Sequence, residues 1–486
     1  MHGNRRKVRD EFHRTVSALA EAGLTGDAAA AEAAITRLGE LLPAMRRHDP
    51  VLEEAVALVG QSAGRLLTGR EAALRPALAV FRALLLATPF DSGLHPTMLM
   101  MVGEDLLRAA RQTHERYLVD EAVTLGEAAV TAAEPGSQLQ AIMLSGLGEA
   151  YQLRFGDLGD PADLDRAIDS YRMAADRIDP DMPSPIPERH EIGREVHALC
   201  LDRLGSCLTR KFEQTTDPQV LDDAITVRRR ALRTIPADDL NRPKHLNKLG
   251  VALHRQYRET GCADALNEAV ALSAEAVSTG VPDSSGYASW VNTHAVFLLE
   301  RFALTADRSD LEQASTLLRN VARAERSGST RQAMHHSTLA TALITQYHLT
   351  SDPAVLAEAV AVSRQALAAT PAGHPFRPGR LTGLGDAVQE TFVRSDDLTA
   401  LDEAISLYRE AIAASPPQHP GTPQLLGNLG VALGQRYKAG GGIEQLNEGI
   451  ILLQQAVTSL ADDHPNRAMA QSNLDKLVEL RAGSDH

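Results

Sequence analysis

Aromatic residues, cysteine and lysine are all scarce in this sequence. Aromatic side chains make up 4% of the 486 residues, which disfavours a β-sandwich, because strands are enriched in β-branched and aromatic residues. Three cysteines, Cys200, Cys207 and Cys262, are too few for a disulfide framework and are typical of a reducing compartment. Six of the 49 basic residues are lysine, a bias typical of a GC-rich genome.

Long apolar runs and excess positive charge are also absent. The formal net charge of −14 argues against a nucleic-acid partner held by a broad positive field. No run of about 18 apolar residues occurs, and the charged N-terminus is not followed by an apolar segment of the kind found in signal peptides. We therefore expect a cytoplasmic protein without a membrane partner.

Small residues recur at a fixed spacing along most of the chain. Most neighbours in the first column are 45 residues apart, with one step of 57 residues between Gly148 and Gly205: Gly103, Gly148, Gly205, Gly250, Ala295, Ala340, Gly385 and Gly430. A second column keeps the same spacing: Ala122, Ala167, Ala224, Ala269, Ala314, Ala359, Ala404 and Gly449. A fixed period of this length is the signature of a repeat array.

Each period carries the signals of two helices. A large ring stands seven residues after the first small column in seven of the periods: Phe155, Phe212, Tyr257, Phe302, Tyr347, Phe392 and Tyr437. Asp160, Asp217 and Asp352 each precede a proline, which predicts an N-cap followed by the first helical residue. Apolar residues then follow at helical spacing. One period is therefore predicted to be helix A, a short turn, helix B and a loop.

The second helix of the period resembles the tetratricopeptide repeat (TPR) family. That pattern places two small residues seven apart and a proline five later, as at Ala224, Ala231 and Pro236. The resemblance implies an all-α fold, a right-handed α-solenoid (superhelix) of stacked antiparallel helix hairpins. The sequence departs from the family in its period of 45 rather than 34 residues, and it lacks the usual tryptophan of helix A. It also resembles the actinobacterial and fungal TPR arrays that often sit beside a CHAT peptidase or an NTPase switch domain.

The repeat register divides the chain into segments. They are an N-terminal helical cap or degenerate hairpin (1–48), a degenerate repeat (49–94), two TPR-like repeats (95–178), a Pro-rich insertion loop (179–192), six repeats (193–465) and a C-terminal capping helix with a tail (466–486). We expect the insertion loop, with Met182, Ile186 and Arg189, to act either as a recognition element or as a disordered spacer.

Helix A lines the concave groove of TPR superhelices, so the resemblance implies that polar helix A residues bind a partner. The candidates are Asp202, Arg210, Asn247, His254, Arg255, Asn292, Glu300, Gln389, Glu390 and Gln435. Their mixed charge suits hydrogen bonding to a peptide or protein. A merely solvated face is the competing interpretation.

Other chemistry-bearing residues favour structural roles. His197 and Cys200 lie three apart on a predicted helix, but no oriented base or second ligand pair accompanies them. The histidines before Pro375, Pro420 and Pro465 recur as turn residues. The arginines at 228–230 and at 233 form the best basic patch, which could bind an acidic partner or be a solvated convex face. We predict no catalytic residue, no metal and no cofactor.

The sequence therefore favours a non-enzymatic interaction scaffold that binds a peptide or protein in the groove. The alternative is a regulatory sensor subunit that controls a CHAT-type peptidase or NTPase effector on another chain. An enzyme with an unrecognised site is the third possibility.

Overall fold

The structure is a computed structural model that describes most of the chain. The described residues are 2–25, 27–45, 51–52, 54–56, 58–59, 80, 83–84, 94–178, 187–282, 284, 286–324, 329–416, 421–461, 464 and 466–483. Two compact units divide the chain, Met1–Gln256 (unit 1) and Tyr257–His486 (unit 2).

Unit 1 consists of helices packed in chain order. The helices are α1 (His2–Thr25), α2 (Ala28–Leu41), a 3₁₀ turn (Leu42–Ala44), α3 (Leu94–Thr113), α4 (Arg116–Ala132), α5 (Gln138–Leu158), α6 (Pro161–Arg177), α7 (Pro187–Thr215), α8 (Pro218–Thr234) and α9 (Arg242–Thr260), in which the boundary of the unit falls. From α3 to α8, each helix packs against the next.

Unit 2 repeats the same arrangement. Its helices are α10 (Ala263–Thr279), α11 (Tyr287–Thr305), α12 (Arg308–Ala324), α13 (Thr330–Thr350), α14 (Pro353–Ala368), α15 (Arg377–Ser395), α16 (Leu398–Ala414), α17 (Thr422–Lys438), α18 (Ile443–Ser459) and α19 (Arg467–Gly483). The even-numbered helices from α10 to α18 begin 45 residues apart. The described ranges contain no strand, so the all-α solenoid expected from the sequence is confirmed in each unit.

The predicted helix starts are confirmed by their hydrogen bonds. The carboxylates of Asp160, Asp217 and Asp352 accept the backbone N–H groups two residues later, at 3.0, 3.0 and 2.8 Å. A proline follows each aspartate, and its missing N–H costs nothing in the first turn of a helix. These caps start α6, α8 and α14 after a short turn, and such turns bring neighbouring helices into antiparallel hairpins.

The residues of the first column are small because the second helix of each hairpin packs closely on the first. A β-carbon at Gly148 would lie 3.0 Å from the ring of Tyr171, and one at Gly385 would lie 2.7 Å from Cε1 of Tyr408. Both tyrosines are almost completely buried. The glycines therefore make room for a ring inside the hairpin.

Arg228 differs from its sequence interpretation. The exposed-patch prediction places it with Arg229 and Arg233, which are exposed, but Arg228 is buried against Gly205. Its guanidinium donates to the Gly205 carbonyl at 3.0 Å and to the Thr209 hydroxyl at 3.1 Å. Arg228 occupies the position that Tyr171 holds one hairpin earlier, so its long side chain fills the space above the glycine.

The insertion is shorter than the sequence predicts. Helix α7 begins at Pro187, so residues 187–192 are helical rather than part of a loop. Proline is favoured in the first turn of a helix, which fits the helix start at Pro187. The remaining segment boundaries stay predictions.

Candidate partner-binding surface

The helices of unit 2 form two rows. The A row is α11, α13, α15, α17 and α19, and neighbouring A helices pack directly on one another. The B row is α10, α12, α14, α16 and α18. Long side chains link its helices: Arg319 pairs with Glu358 at 2.8 Å, and Arg364 pairs with Glu403 at 2.9 Å. Because backbone approach is closer along the A row, this row is the inner side of unit 2.

Two of the predicted residues in unit 1 are exposed arginines that cover aromatic rings. The guanidinium carbon of Arg210 lies 5.5 Å from the ring centre of Phe155, and that of Arg255 lies 5.4 Å from the ring centre of Phe212. These are cation–π distances. The aromatic column therefore carries arginines of the following helix A on its outer edge.

Asp202 is buried rather than presented to solvent. The ammonium group of Lys248 donates to its two carboxylate oxygens at 2.6 and 2.7 Å, linking α7 to α9 within unit 1. Burial alone would raise the pKa of Asp202, but the hydrogen bond and charge of Lys248 bring it below its usual value. Asn247 and His254, also predicted to face the groove, are half-buried on α9.

In unit 2, four of the predicted residues pair with a neighbouring A helix. Gln389 donates to Gln435 at 2.7 Å, and Glu390 lies 3.3 Å from His348. Glu300 accepts from Arg258 at 3.2 Å. These polar groups on the inner row therefore link successive hairpins.

Asn292 and the insertion residues lie apart from these pairs. Asn292 is buried on α11, and its side-chain oxygen has no hydrogen-bond partner among the described residues. Met182 and Ile186 lie outside the described residues, as does the side chain of Arg189.

A cavity that sequence reasoning did not find opens in the A row of unit 2. It has a volume of about 250 Å³ and lies between α13 and α15, and two residues of α14 also line it. Its lining includes Ser337, Ala340, Thr341, Ile344, Thr345, His348, Ser363, Ala366, Gly379, Arg380, Gly383 and Asp386.

The cavity follows from the repeat pattern. Ala340 and Ser363 stand 45 residues before Gly385 and Tyr408, where the tyrosine ring fills the hairpin. In the hairpin of α13 and α14 both positions carry small side chains, so no ring occupies the space. The sequence carries part of this signal: in unit 2 the column that contains Leu318, Tyr408 and Leu453 has serine at positions 273 and 363, and the cavity lies at Ser363.

Two ionisable residues of α15, Arg380 and Asp386, line this cavity. Arg380 is 6% exposed, and burial lowers its pKa. Asp386 accepts hydrogen bonds from the hydroxyl of Tyr408 at 2.7 Å and from the amide of Asn428 at 3.0 Å. Burial raises the pKa of Asp386, against the effect of these two donors. The cavity thus combines a buried cation and a hydrogen-bonded carboxyl group.

The cysteine and histidine candidates lie in the core. His197, Cys200 and Cys207 are at most 1% exposed. Burial raises the pKa of both thiols, which makes them poor nucleophiles. In the turns, Nδ1 of His374 accepts the N–H of Phe376 at 3.2 Å. The described residues hold no cluster of three potential metal ligands, and none of their helices is long and apolar enough to cross a membrane.

Comparison with known proteins does not assign this chain to a family, so its fold class rests on its own helices and their packing. No family model matches this chain, and no curated protein matches it. Similar solved structures include the apo form of the quorum sensor NprR from B. thuringiensis, with 12% identity over 84% of this chain and 99% of that chain and a TM-score of 0.38. The apo form of RapI has 11% identity over 83% of this chain and 97% of that chain, with a TM-score of 0.42.

A tetratricopeptide repeat protein from Parabacteroides merdae is similar at 13% identity, over 68% of this chain and 98% of that chain, with a TM-score of 0.38. Similarity at this level assigns neither a family nor a function. The chain is an all-α solenoid by its own helices and their packing.

Proposed function

We propose that this chain is a TPR-type interaction scaffold that holds a peptide or protein partner along the A row of unit 2. The observation that carries the proposal is the open cavity between α13 and α15, which is flanked by partly exposed polar side chains. Binding sites are concave and combine apolar walls with a few polar groups that fix orientation. The proposed role is non-catalytic.

The chemistry of the A row suits a polypeptide partner. Thr341, Thr345 and Gln435 are at least partly exposed and offer both donors and acceptors. His348 at the edge of the cavity and Glu390 beside it add an imidazole and a carboxylate. Groups of this kind can pair with backbone N–H and C=O groups, which every peptide carries.

Unit 1 offers a second surface of similar composition. Arg210 and Arg255 are exposed on α7 and α9, and each is positioned by an aromatic ring. A guanidinium group held in this way loses little side-chain freedom when it pairs with a carboxylate. We include these two residues, with His254 and Asn247, in the proposed binding surface of unit 1.

A capture experiment with matched variants tests the proposal. Thr341→Arg with Thr345→Arg places two bulky charges on the A row, one helical turn apart. Ala357→Arg with Ala361→Arg places the same two charges on the exposed face of α14 in the B row. We expect the A-row variant to lose partner capture from a lysate of the source organism and the B-row variant to retain it, with equal far-UV circular dichroism and melting temperature.

The reverse result would overturn the proposal, because it would place the partner on the B row. The identity of the captured protein separates the two regulatory interpretations. A peptidase or NTPase effector would favour the sensor subunit, and an unrelated client would favour the scaffold.

A further inference from the structure

We propose that the cavity between α13 and α15 binds a carboxylate group, with Arg380 as the counter-ion and Ser363 as a hydrogen-bond donor. The inference deepens the proposed function, since it assigns a ligand chemistry to part of the same surface and rests on the A row being the binding side. It derives from three observations on described residues of unit 2.

The first observation is a buried arginine without an acidic partner. Arg380 is 6% exposed, and no carboxylate within the described ranges forms an ion pair with it. Its guanidinium donates to the hydroxyl of Thr370, which itself donates to the Ala366 carbonyl at 2.6 Å. A guanidinium has five N–H donors, and burying an uncompensated charge is costly. An anion in the cavity would supply the missing compensation.

The second observation is an unsatisfied hydroxyl on α14, which also lines the cavity. Ser363 is 3% exposed, lines the cavity, and its Oγ has no hydrogen-bond partner among the described residues. Most buried hydroxyl groups in proteins are hydrogen-bonded. Ser363 stands where Leu318 and Tyr408 fill neighbouring hairpins, so it opens the space and offers a donor to it.

The third observation is the position of Arg380 in the chain. It lies with Gly379 in the first turn of α15, whose N-cap residue, Phe376, provides no side-chain acceptor. The positive end of the helix dipole therefore adds to the potential of the guanidinium. Gly379 has no other group within 4 Å of the place where a β-carbon would lie, so an anion can approach the backbone there.

The remaining charges favour a carboxylate over a phosphate. Asp386 lines the same cavity. Burial raises the pKa of Asp386, and the charge of Glu390 on the next turn of α15 raises it further. His348 lies 3.3 Å from Glu390 at the rim. Doubling the negative charge of the ligand doubles its attraction to the one guanidinium and also its repulsion by the two acidic residues, which together favour a monoanion. The cavity volume of about 250 Å³ suits a small acid or an acidic side chain.

Ligand-observed ¹⁹F NMR tests the inference with three probes of similar size. Trifluoroacetate is the carboxylate, monofluorophosphate is the phosphate, and trifluoroethanol is the neutral control. With the full-length chain we expect millimolar trifluoroacetate to broaden at least threefold more than trifluoroethanol, and monofluorophosphate to broaden less than trifluoroacetate. Equal broadening of all three probes would overturn the proposal, and stronger broadening of monofluorophosphate would replace the carboxylate by a phosphate.

Three variants locate the effect. Arg380→Met removes the charge and keeps the apolar stem, and Ser363→Leu fills the cavity as Leu318 and Leu453 do in their hairpins. Both should abolish trifluoroacetate broadening. Arg394→Met, which removes an exposed arginine from the same helix, should leave it unchanged. Broadening that survives in Arg380→Met would contradict the proposal.

The two proposals fail separately. Because Arg380 is a buried, uncompensated charge, Arg380→Met should melt at or above the temperature of the unaltered chain, so a loss of binding would not reflect unfolding. If trifluoroacetate does not bind but the A-row variant still loses partner capture, the carboxylate site is wrong and the scaffold proposal stands. If trifluoroacetate binds but capture depends on the B row, the scaffold proposal is wrong.

Discussion

The ring of Tyr408 lies over Gly385 so closely that a β-carbon on the glycine would be 2.7 Å from Cε1 of the ring. The two residues belong to the two helices of one hairpin, α15 and α16. Their contact explains why residue 385 is a glycine, because the ring takes the space that a β-carbon would need. In the hairpin of α13 and α14 the equivalent residues, Ala340 and Ser363, are both small, and the cavity of unit 2 lies there.

Gly385→Ala should therefore destabilise unit 2. The added methyl group must displace a fully buried ring, which costs about 1–3 kcal/mol in overpacked cores. Tyr408→Leu in the same background should recover part of the loss, since Ala295 and Leu318 occupy the equivalent positions two hairpins earlier. Urea denaturation of the single and double variants measures this. A double variant less stable than Gly385→Ala would show that the two positions do not share one space.

Replacing one member of the ion pair of Arg301 and Asp310 should destabilise unit 2 more than replacing both. Asp310 is 2% exposed and accepts from the guanidinium at 2.8 and 2.6 Å. Arg301→Gln leaves this carboxylate buried and unpaired, at a cost of about 3–5 kcal/mol.

The equivalent positions in the next hairpin are Gln346 and Val355. Arg301→Gln with Asp310→Val reproduces that pair and should cost less than Arg301→Gln alone. Thermal unfolding of Arg301→Gln, Asp310→Val and the double variant tests this expectation. A loss of stability in the double variant equal to the sum of the two single losses would contradict it.

The ion pairs of the B row should differ in strength according to exposure. Double-mutant cycles on the pair of Arg364 and Glu403 should give about 0.2–1 kcal/mol, as for other exposed pairs. The pair of Arg319 and Glu358 should give more, because the Arg319 side chain is 28% exposed and the Arg364 side chain is 56% exposed. Both coupling energies should fall in 1 M salt. Equal coupling energies would show that exposure does not set the strength of these pairs.

Unit 2 should lose stability in mild acid. Burial, followed by the charge of Arg301, lowers the pKa of His294 to about 4, and burial with the charge of Arg331 does the same for His335. Both imidazoles are therefore neutral in the folded state, while an unfolded chain protonates them near pH 6.5. Below that pH the unfolded state binds more protons, so stability falls as pH drops from about 6.5 towards 4.

The slope should reach about 1.4 kcal/mol per pH unit for each histidine. His294→Gln removes one of the two contributions, so the melting temperature should depend less steeply on pH between 6.5 and 5. His464→Gln, at an exposed turn residue, is the matched control for the loss of an imidazole. An identical slope in both variants would contradict the assignment.

Much of the fold could be predicted because its determinants are local. Asp160, Asp217 and Asp352 cap helices through groups two residues away, and the prolines after them preset the first turn. The alternation of helix and turn then follows from apolar spacing within a single period. The proline-rich composition predicts a loop up to residue 192, but α7 begins at Pro187, because a proline is compatible with the first turn of a helix.

The binding surface was harder to predict because it depends on side chains from different hairpins. The bond from Gln389 to Gln435 and the ion pair of Asp202 with Lys248 join residues 46 apart, one more than the period, so column alignment does not reveal them. The cavity exists because residue 363 is a small serine rather than a large side chain. A comparison of side-chain size along the column indicates this space, whereas a comparison of polarity does not.

Amide hydrogen exchange of the captured complex tests the central claim most directly. The claim is that the A row of unit 2 holds the partner. With the bound partner we expect slowed exchange in α13 and α15, in the segments around Thr341 and Gly383 that border the cavity, with exchange in α14 and α16 changing less. Protection confined to the B row, or no change in α13 and α15 while the partner is bound, would contradict it.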